Sequence, residues 1–148
     1  MSETWSIVML ISGALFAAGV VPIAWERAPA WRATDTARFP ADFAHTLRRT
    51  DQLQPALAVL CLVSSVGFAV SASGTPRALA AAAAACFVAV LVGSGAGLVP
   101  IQRRLVDPDS GLSAADVERL RTRWVSGHLL RTIAALVAFV LLVVAAVA

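Results

Sequence analysis

The sequence predicts an all-α integral membrane protein, a four-helix bundle with long cytoplasmic loops that contain short interfacial helices. Hydrophobic residues make up 59% of the 148 residues and charged residues only 14%, which is too apolar for an ordinary soluble domain. Four apolar runs, uncharged except for Arg131 in the last, approach the roughly 20 residues with which a helix crosses a bilayer core of about 30 Å. The basic residues cluster in the two long segments between these runs.

The four runs predict a single membrane domain over residues 1–148. The first span, 5–24, lies between Trp5 and Trp25, and indoles at both ends are typical of a membrane interface. It follows Glu3 without a basic residue and exceeds the apolar core of a signal peptide, about 7 to 15 residues, so we expect a retained span. The other predicted spans are 55–73, 78–101 and 125–148.

Small residues inside the spans predict how the helices pack. Gly93 and Gly97 form a small-xxx-small pair in span three, and such a pair lets two helices approach closely. Cys61 and Cys86 fall in spans two and three without the spacing of a metal or redox motif. We therefore expect both cysteines to act as apolar packing residues.

The placement of basic residues predicts the orientation. All twelve are arginines, with five between spans one and two, five between spans three and four, Arg77 alone in the short second connection, and Arg131 within span four. Because cytoplasmic loops are rich in basic residues, both long loops are predicted to be cytoplasmic. Both termini are then predicted to lie on the outer side of the cell membrane. This pattern explains the net charge of +3 without nucleic acid as a partner, and no basic motif interleaved with aromatic residues is present.

Each long loop contains a predicted helix. Phe39, Phe43 and Leu47 recur at intervals of four residues, which predicts an amphipathic helix on the cytoplasmic interface. In the second loop Ser113 precedes Asp116 by three residues, a variant of the capping box. We expect a helix that begins after Ser113 and continues to the end of the chain.

Four residues of that last helix form a polar stripe at the mouth of span four. Steps of three and four residues place Arg121, Trp124, His128 and Arg131 on one face. An ionisable side chain at the depth of Arg131 normally faces the bundle interior or a wet cavity. The stripe thus predicts either a functional site or a set of membrane anchors.

Other polar residues are expected at the same end of the bundle. Glu26 ends span one, His45 and Arg48 belong to the amphipathic helix, and Gln102 and Arg104 end span three. A four-helix bundle would gather these side chains around one cytoplasmic mouth. No acidic residue lies deep in a span, which disfavours an ion-coupled transporter.

Three functions fit these residues. His128 beside Arg131 is suited to act as a general base whose neighbour stabilises the resulting anion. Alternatively, His45, His128 and Glu26 would supply a metal site with two histidines and one carboxylate. The third is a non-enzymatic carrier or partner subunit, in which the polar residues only anchor helices; the sequence leaves a homo-oligomer open.

The second half of the chain contains the segments GLVPIQRRL and ERLRTRWVSGHLLRTIAALVAFVLL, and DQLQPALAVL opens span two. The first two segments resemble the anthrone-oxygenase-like family of small four-helix membrane proteins, and the third agrees with it more loosely. The family's proline-x-asparagine element falls on Pro100 and Gln102, so glutamine replaces the expected asparagine. Its tryptophan, histidine and arginine fall on Trp124, His128 and Arg131.

The resemblance implies an oxygenase that needs neither metal nor flavin. Its substrates would be a hydrophobic, fused-ring aromatic molecule of the anthrone type and dioxygen, with the ring entering from the bilayer between helices. His128 and Arg131 would be catalytic. Trp124 would stack on the ring, and the substrate-binding residues would otherwise be Gln102, Arg104, His45, Arg48 and Glu26.

Overall fold

The first two helices carry the N-terminal third of the chain. The computed structural model describes residues 2–50 and 52–148. Helix α1 comprises Ser2–Pro22, a π-helical turn at Ile23–Arg27 and a last segment at Ala28–Ala33. Helix α2, Phe39–Thr50, follows after a short turn.

The other three helices complete the all-α fold of the described ranges. Helix α3 is Gln54–Ser71. Helix α4 comprises Gly74–Gly93, a π-helical turn at Ser94–Leu98 and a last segment at Val99–Val106. Helix α5 is a single element, Ala114–Val147. Its capping box is formed as predicted, with Ser113 and Asp116 exchanging side-chain and backbone hydrogen bonds.

Both π-helical turns end two residues before a proline. Pro29 follows the turn in α1 and Pro100 follows the turn in α4. Proline lacks a backbone N–H and its ring crowds the carbonyl four residues earlier, so the helix widens by one residue at these points. Both widened turns lie next to the candidate site described below.

Helices α1, α3, α4 and α5 form a closed four-helix bundle. Pairs α1 and α3, α3 and α4, α4 and α5, and α5 and α1 are in contact, so helices that follow one another pack side by side. All four are long and apolar enough to cross a membrane. Large apolar side chains remain exposed along their outer faces, among them Ile11, Val63, Leu130 and Val140. Such surfaces favour a lipid environment, which indicates a multi-pass membrane protein.

Helix α2 covers one end of this bundle and packs on the last segment of α4. Its predicted amphipathic face is present, but Phe39 and Phe43 are fully buried against Trp31 and, for Phe43, also Trp124. Protein therefore covers the apolar face that the sequence suggested would meet the bilayer interface. We call Trp31, Phe39, Phe43 and Trp124 the aromatic cluster.

Candidate functional site

Trp124, His128 and Arg131 come together where α5 leaves the aromatic cluster. The side chains of Trp124 and His128 are fully buried, and their rings stack with centroids 4.9 Å apart and an angle of 9° between the planes. The predicted spacing of four residues places the two rings one above the other on the helix. Arg131 follows one turn later and reaches back to the imidazole.

The two ring nitrogens of His128 have different partners. Nε2 lies 3.1 Å from the backbone carbonyl oxygen of Val20 in α1, and Nδ1 lies 2.9 Å from Nη2 of Arg131. A carbonyl only accepts a hydrogen bond and a guanidinium only donates one. Nε2 therefore carries the hydrogen and Nδ1 presents its lone pair to Arg131, so the geometry selects one neutral tautomer.

Trp124 is enclosed on its remaining sides by the aromatic cluster. Trp31 and Phe43 meet its ring edge-to-face at 5.6 Å and 4.9 Å, the geometry that aromatic pairs prefer. A ligand therefore has no access to this indole in the structure. Trp124 holds His128 in place, and its stacking on a substrate ring stays a prediction.

Arg121 ties α5 to the end of α1. Only 5% of this residue is exposed, and its Nη1 donates hydrogen bonds to the carbonyl oxygens of Trp31 at 2.7 Å and Thr34 at 2.5 Å. Its other terminal nitrogen pairs with Glu118. Arg121 thus closes the last turn of α1: it gives the carbonyl of Thr34 a donor and gives that of Trp31 a second donor beside the backbone N–H of Thr34. Within the polar stripe, Arg121 therefore has a structural role.

A cavity of about 160 Å³ lies between all four long helices at this level. Arg131 and Gln102 line it, together with Gln54 at the start of α3 and Ser94 in the widened turn of α4. Phe16 and aliphatic side chains form the rest of the wall. The sequence predicted Gln102 and Arg131 at one mouth, and the structure brings them to the same cavity.

A larger groove of about 490 Å³ opens between α4 and α5. Gly93, Gly97 and Gly127 line it with Leu130, while Arg123 and Arg131 supply its positive charge. A Cβ added to Gly93 or Gly97 would meet no atom within 4 Å. The expectation of close helix packing at this glycine pair is therefore wrong, because the missing side chains leave an open groove.

The remaining predicted site residues lie outside these two spaces. Glu26, His45 and Arg104 are exposed and line neither the cavity nor the groove. Arg48 is exposed as well, but it shares a separate, shallower groove with Gln102. The structure thus brings Arg131 into contact with His128 and into one cavity with Gln102, and it leaves the other four on the surface.

The two-histidine, one-carboxylate arrangement is not formed. In residues 2–50 and 52–148, no three His, Cys, Asp or Glu side chains lie close enough together to hold a metal ion. His128 is buried inside the bundle, whereas His45 and Glu26 face outward. The sequence placed these three residues at one mouth, but α2 turns its polar face away from the bundle.

Gln54 is a site residue that the sequence analysis missed. It occupies the first position of α3 and is 5% exposed, although it sits where a loop residue was expected. The available signal was its chemistry: a polar amide immediately before an apolar span, followed by Pro55, which favours the first turn of a helix. An amide carried into an apolar bundle needs a partner or a function.

Comparison with known proteins supplies the family. No curated protein and no solved structure matches the chain. The sequence model of a family described as anthrone oxygenase matches residues 43–141, about two thirds of the chain. The matched region contains Gln54, Gln102, Trp124, His128 and Arg131. The chain therefore belongs to the anthrone oxygenase family.

Proposed function

We propose that this protein is a membrane-embedded, cofactor-independent oxygenase that oxidises a hydrophobic polycyclic aromatic substrate of the anthrone type with dioxygen. Family membership supports an oxygenase. The observation that carries the proposal is the contact between Nδ1 of His128 and the guanidinium of Arg131, since Arg131 lines both the cavity and the groove. An anion-binding group thus faces a space that admits a ligand, and the proposed base lies directly behind it.

The groove between α4 and α5 is suited to a flat, apolar ring system. Its volume of about 490 Å³ falls within the range of about 300 to 1,000 Å³ that small-molecule sites occupy. The glycines have no side chains to fill the groove, and Leu130, Ile101 and Ala134 make its lining apolar. An anthrone dissolved in the bilayer enters this groove sideways, without first crossing water.

Arg131 controls whether His128 acts as a base. In the unliganded protein Nδ1, the only nitrogen with a lone pair in the selected tautomer, accepts a hydrogen bond from Arg131. A substrate carbonyl oxygen competes for the same guanidinium and gains strength as it becomes an anion. Binding therefore turns Arg131 toward the substrate and exposes Nδ1, while the Val20 carbonyl keeps the ring oriented.

The reaction then proceeds with balanced atoms and electrons. Nδ1 takes a proton from the substrate methylene. The electron pair left behind delocalises to the substrate carbonyl oxygen, which lies beside Arg131. The carbanion adds to dioxygen, forming a C–O bond, and the terminal oxygen takes up the proton. Loss of the second methylene proton breaks the O–O bond and releases water, so that a methylene and O₂ become a carbonyl and H₂O.

Removing the base tests this function. We expect His128→Ala to lower the rate of anthrone oxidation about 100-fold or more, measured as quinone absorbance and oxygen uptake in nanodiscs, corrected for spontaneous oxidation. Arg119→Ala is the matched control, because Arg119 is exposed on the same helix. This variant should oxidise anthrone at the parent rate. Full turnover by His128→Ala contradicts the proposal, and substrate binding without turnover by the parent protein favours the carrier function.

The proposed orientation is testable in intact cells. The cell membrane would hold the chain with both termini outside and α2 in the cytoplasm, as the arginine distribution predicts. A cysteine introduced at exposed His45 should react with an impermeant maleimide only after cells are opened. Labelling of intact cells would reverse the orientation.

A further inference from the structure

Two buried polar atoms in the cavity between the four long helices have no hydrogen-bond partner among the described residues. They are Oε1 of Gln54 and Oγ of Ser94, and both residues line the cavity with Arg131. Gln54 is more than nine-tenths buried. Leaving a buried polar atom unpaired costs about 1 to 3 kcal/mol, so such atoms require an explanation.

The chemistry of these atoms defines what they accept. An amide oxygen only accepts a hydrogen bond, so its missing partner is a donor such as a hydroxyl group. The guanidinium of Arg131 only donates, so its partner on a ligand is a carbonyl or phenolate oxygen. Ser94 lines both the cavity and the groove, as Arg131 does, and its hydroxyl can donate or accept a hydrogen bond.

The amide of Gln54 is held by a glycine on α1. A Cβ placed on Gly19 would overlap the side-chain nitrogen of Gln54, so the amide rests directly on the α1 backbone. Pro55 follows it and restricts the first turn of α3. The position of the unpaired oxygen is therefore set by the packing of α1 against α3.

We propose that Gln54, assisted by Ser94, is a specificity-determining residue that accepts a hydrogen bond from a hydroxyl group on the aromatic substrate. Arg131 binds the carbonyl or phenolate oxygen of the same molecule. The pair selects rings in which a hydroxyl lies next to the oxygen that becomes the anion, over rings that lack it. This inference rests on the proposed function, because it takes as given an aromatic ligand that extends from the groove past Ser94 and Arg131 into the cavity that Gln54 lines.

Binding of two quinones tests, without turnover, the hydroxyl-binding subsite formed by Gln54 and Ser94. The probes are 1,8-dihydroxyanthraquinone, which carries hydroxyls beside a carbonyl, and unsubstituted anthraquinone, both already oxidised. In nanodiscs we expect Gln54→Met to weaken binding of the hydroxylated probe on the order of tenfold, as loss of one buried hydrogen bond does. Binding of the unsubstituted probe should stay within about twofold, because no partner is lost.

Two further variants keep the test decisive. Gln52→Met is the matched control: Gln52 is exposed, and its replacement should leave the affinities for both probes unchanged. Ser94→Ala removes only a hydroxyl and should weaken the hydroxylated probe about threefold, which covers the case in which Gln54→Met does not fold. Equal losses for both probes, or no loss in either variant, would overturn the proposal.

The outcomes also separate this inference from the oxygenase itself. If the parent protein oxidises no anthrone yet binds the hydroxylated quinone in a Gln54-dependent manner, the subsite stands and the oxygenase fails. If it oxidises anthrone and Gln54→Met does not discriminate between the probes, the oxygenase stands and the subsite fails. Failure of the parent protein to bind either quinone would overturn the subsite.

Discussion

Helix α5 has a closed side and an open side within three turns. On the closed side Arg121, Trp124 and His128 are all buried, and each contacts another helix or its backbone. On the open side Gly127 and Arg131 border the groove toward α4. Dense packing and empty space are thus separated by the width of one helix.

This difference indicates a division of labour between the two sides. The closed side fixes the tautomer and orientation of His128 through Trp124 and the Val20 carbonyl. The open side offers volume, and Arg131 connects the two because it touches His128 and lines both the cavity and the groove. A site of this kind needs rigid support behind its reactive groups.

The strongest way to break the closed side is Trp124→Ala. Loss of a fully buried indole leaves a cavity, and we expect the free energy of unfolding to fall by about 3 to 5 kcal/mol. Detergent-micelle unfolding measures this change. Trp25→Ala is the control, since Trp25 is 85% exposed. This substitution should lower the free energy of unfolding by no more than about 1 kcal/mol. Equal effects of both substitutions would mean that the aromatic cluster contributes no special stability.

Arg121→Met is expected to have the next largest effect on the closed side. The carbonyl of Thr34 loses its donor and that of Trp31 loses one of two, so the free energy of unfolding should fall by about 2 kcal/mol. The same micelle assay measures it. Arg119→Met, whose ion pair with Asp116 lies on the surface, should leave the stability almost unchanged. A stable Arg121→Met protein would show that α1 does not depend on this connection.

Gly97→Leu tests the open side alone. A leucine there projects into free space, so we expect normal stability but a loss of quinone affinity of about tenfold, as for a blocked apolar site. Ala96→Leu provides the control, because Ala96 is exposed and lines neither the groove nor the cavity. Unchanged quinone affinity in Gly97→Leu would show that the ligand does not bind in the groove.

The smallest expected effect concerns the start of α5, before either side begins. Ser113→Ala removes the capping box and should lower the free energy of unfolding by about 1 kcal/mol without changing quinone affinity. Ser126→Ala, at an exposed position within the helix, should change neither quantity. A loss of affinity in Ser113→Ala would show that the site depends on the far end of the helix.

Much of the fold could be predicted because it depends on local properties. The apolar runs specify the four long helices, and the Ser113 and Asp116 pair specifies where α5 begins. The step from Trp124 to His128 and Arg131 is also local, since residues three and four apart share one face of a helix. The family resemblance drawn from the same residues is confirmed by the match over residues 43–141.

The parts that could not be predicted depend on how helices are placed side by side. Gly93 and Gly97 have the spacing of a packing motif, yet they border a groove, since the spacing does not say whether a neighbour approaches. His45 and Glu26 share an end of the bundle with His128 but face outward. Gln54 enters the cavity only because α1 supplies a glycine opposite it.

The sequence by itself determined the all-α membrane class, the start of α5 and the polar stripe on α5, because backbone hydrogen bonding and apolar periodicity act within a few residues. Only the tertiary structure decided which nitrogen of His128 carries the hydrogen and which polar atoms remain unpaired. Those properties depend on Val20, Gly19 and Ser94, which are distant along the chain. Contacts between helices are set by the packing of the whole bundle, and no local pattern encodes them.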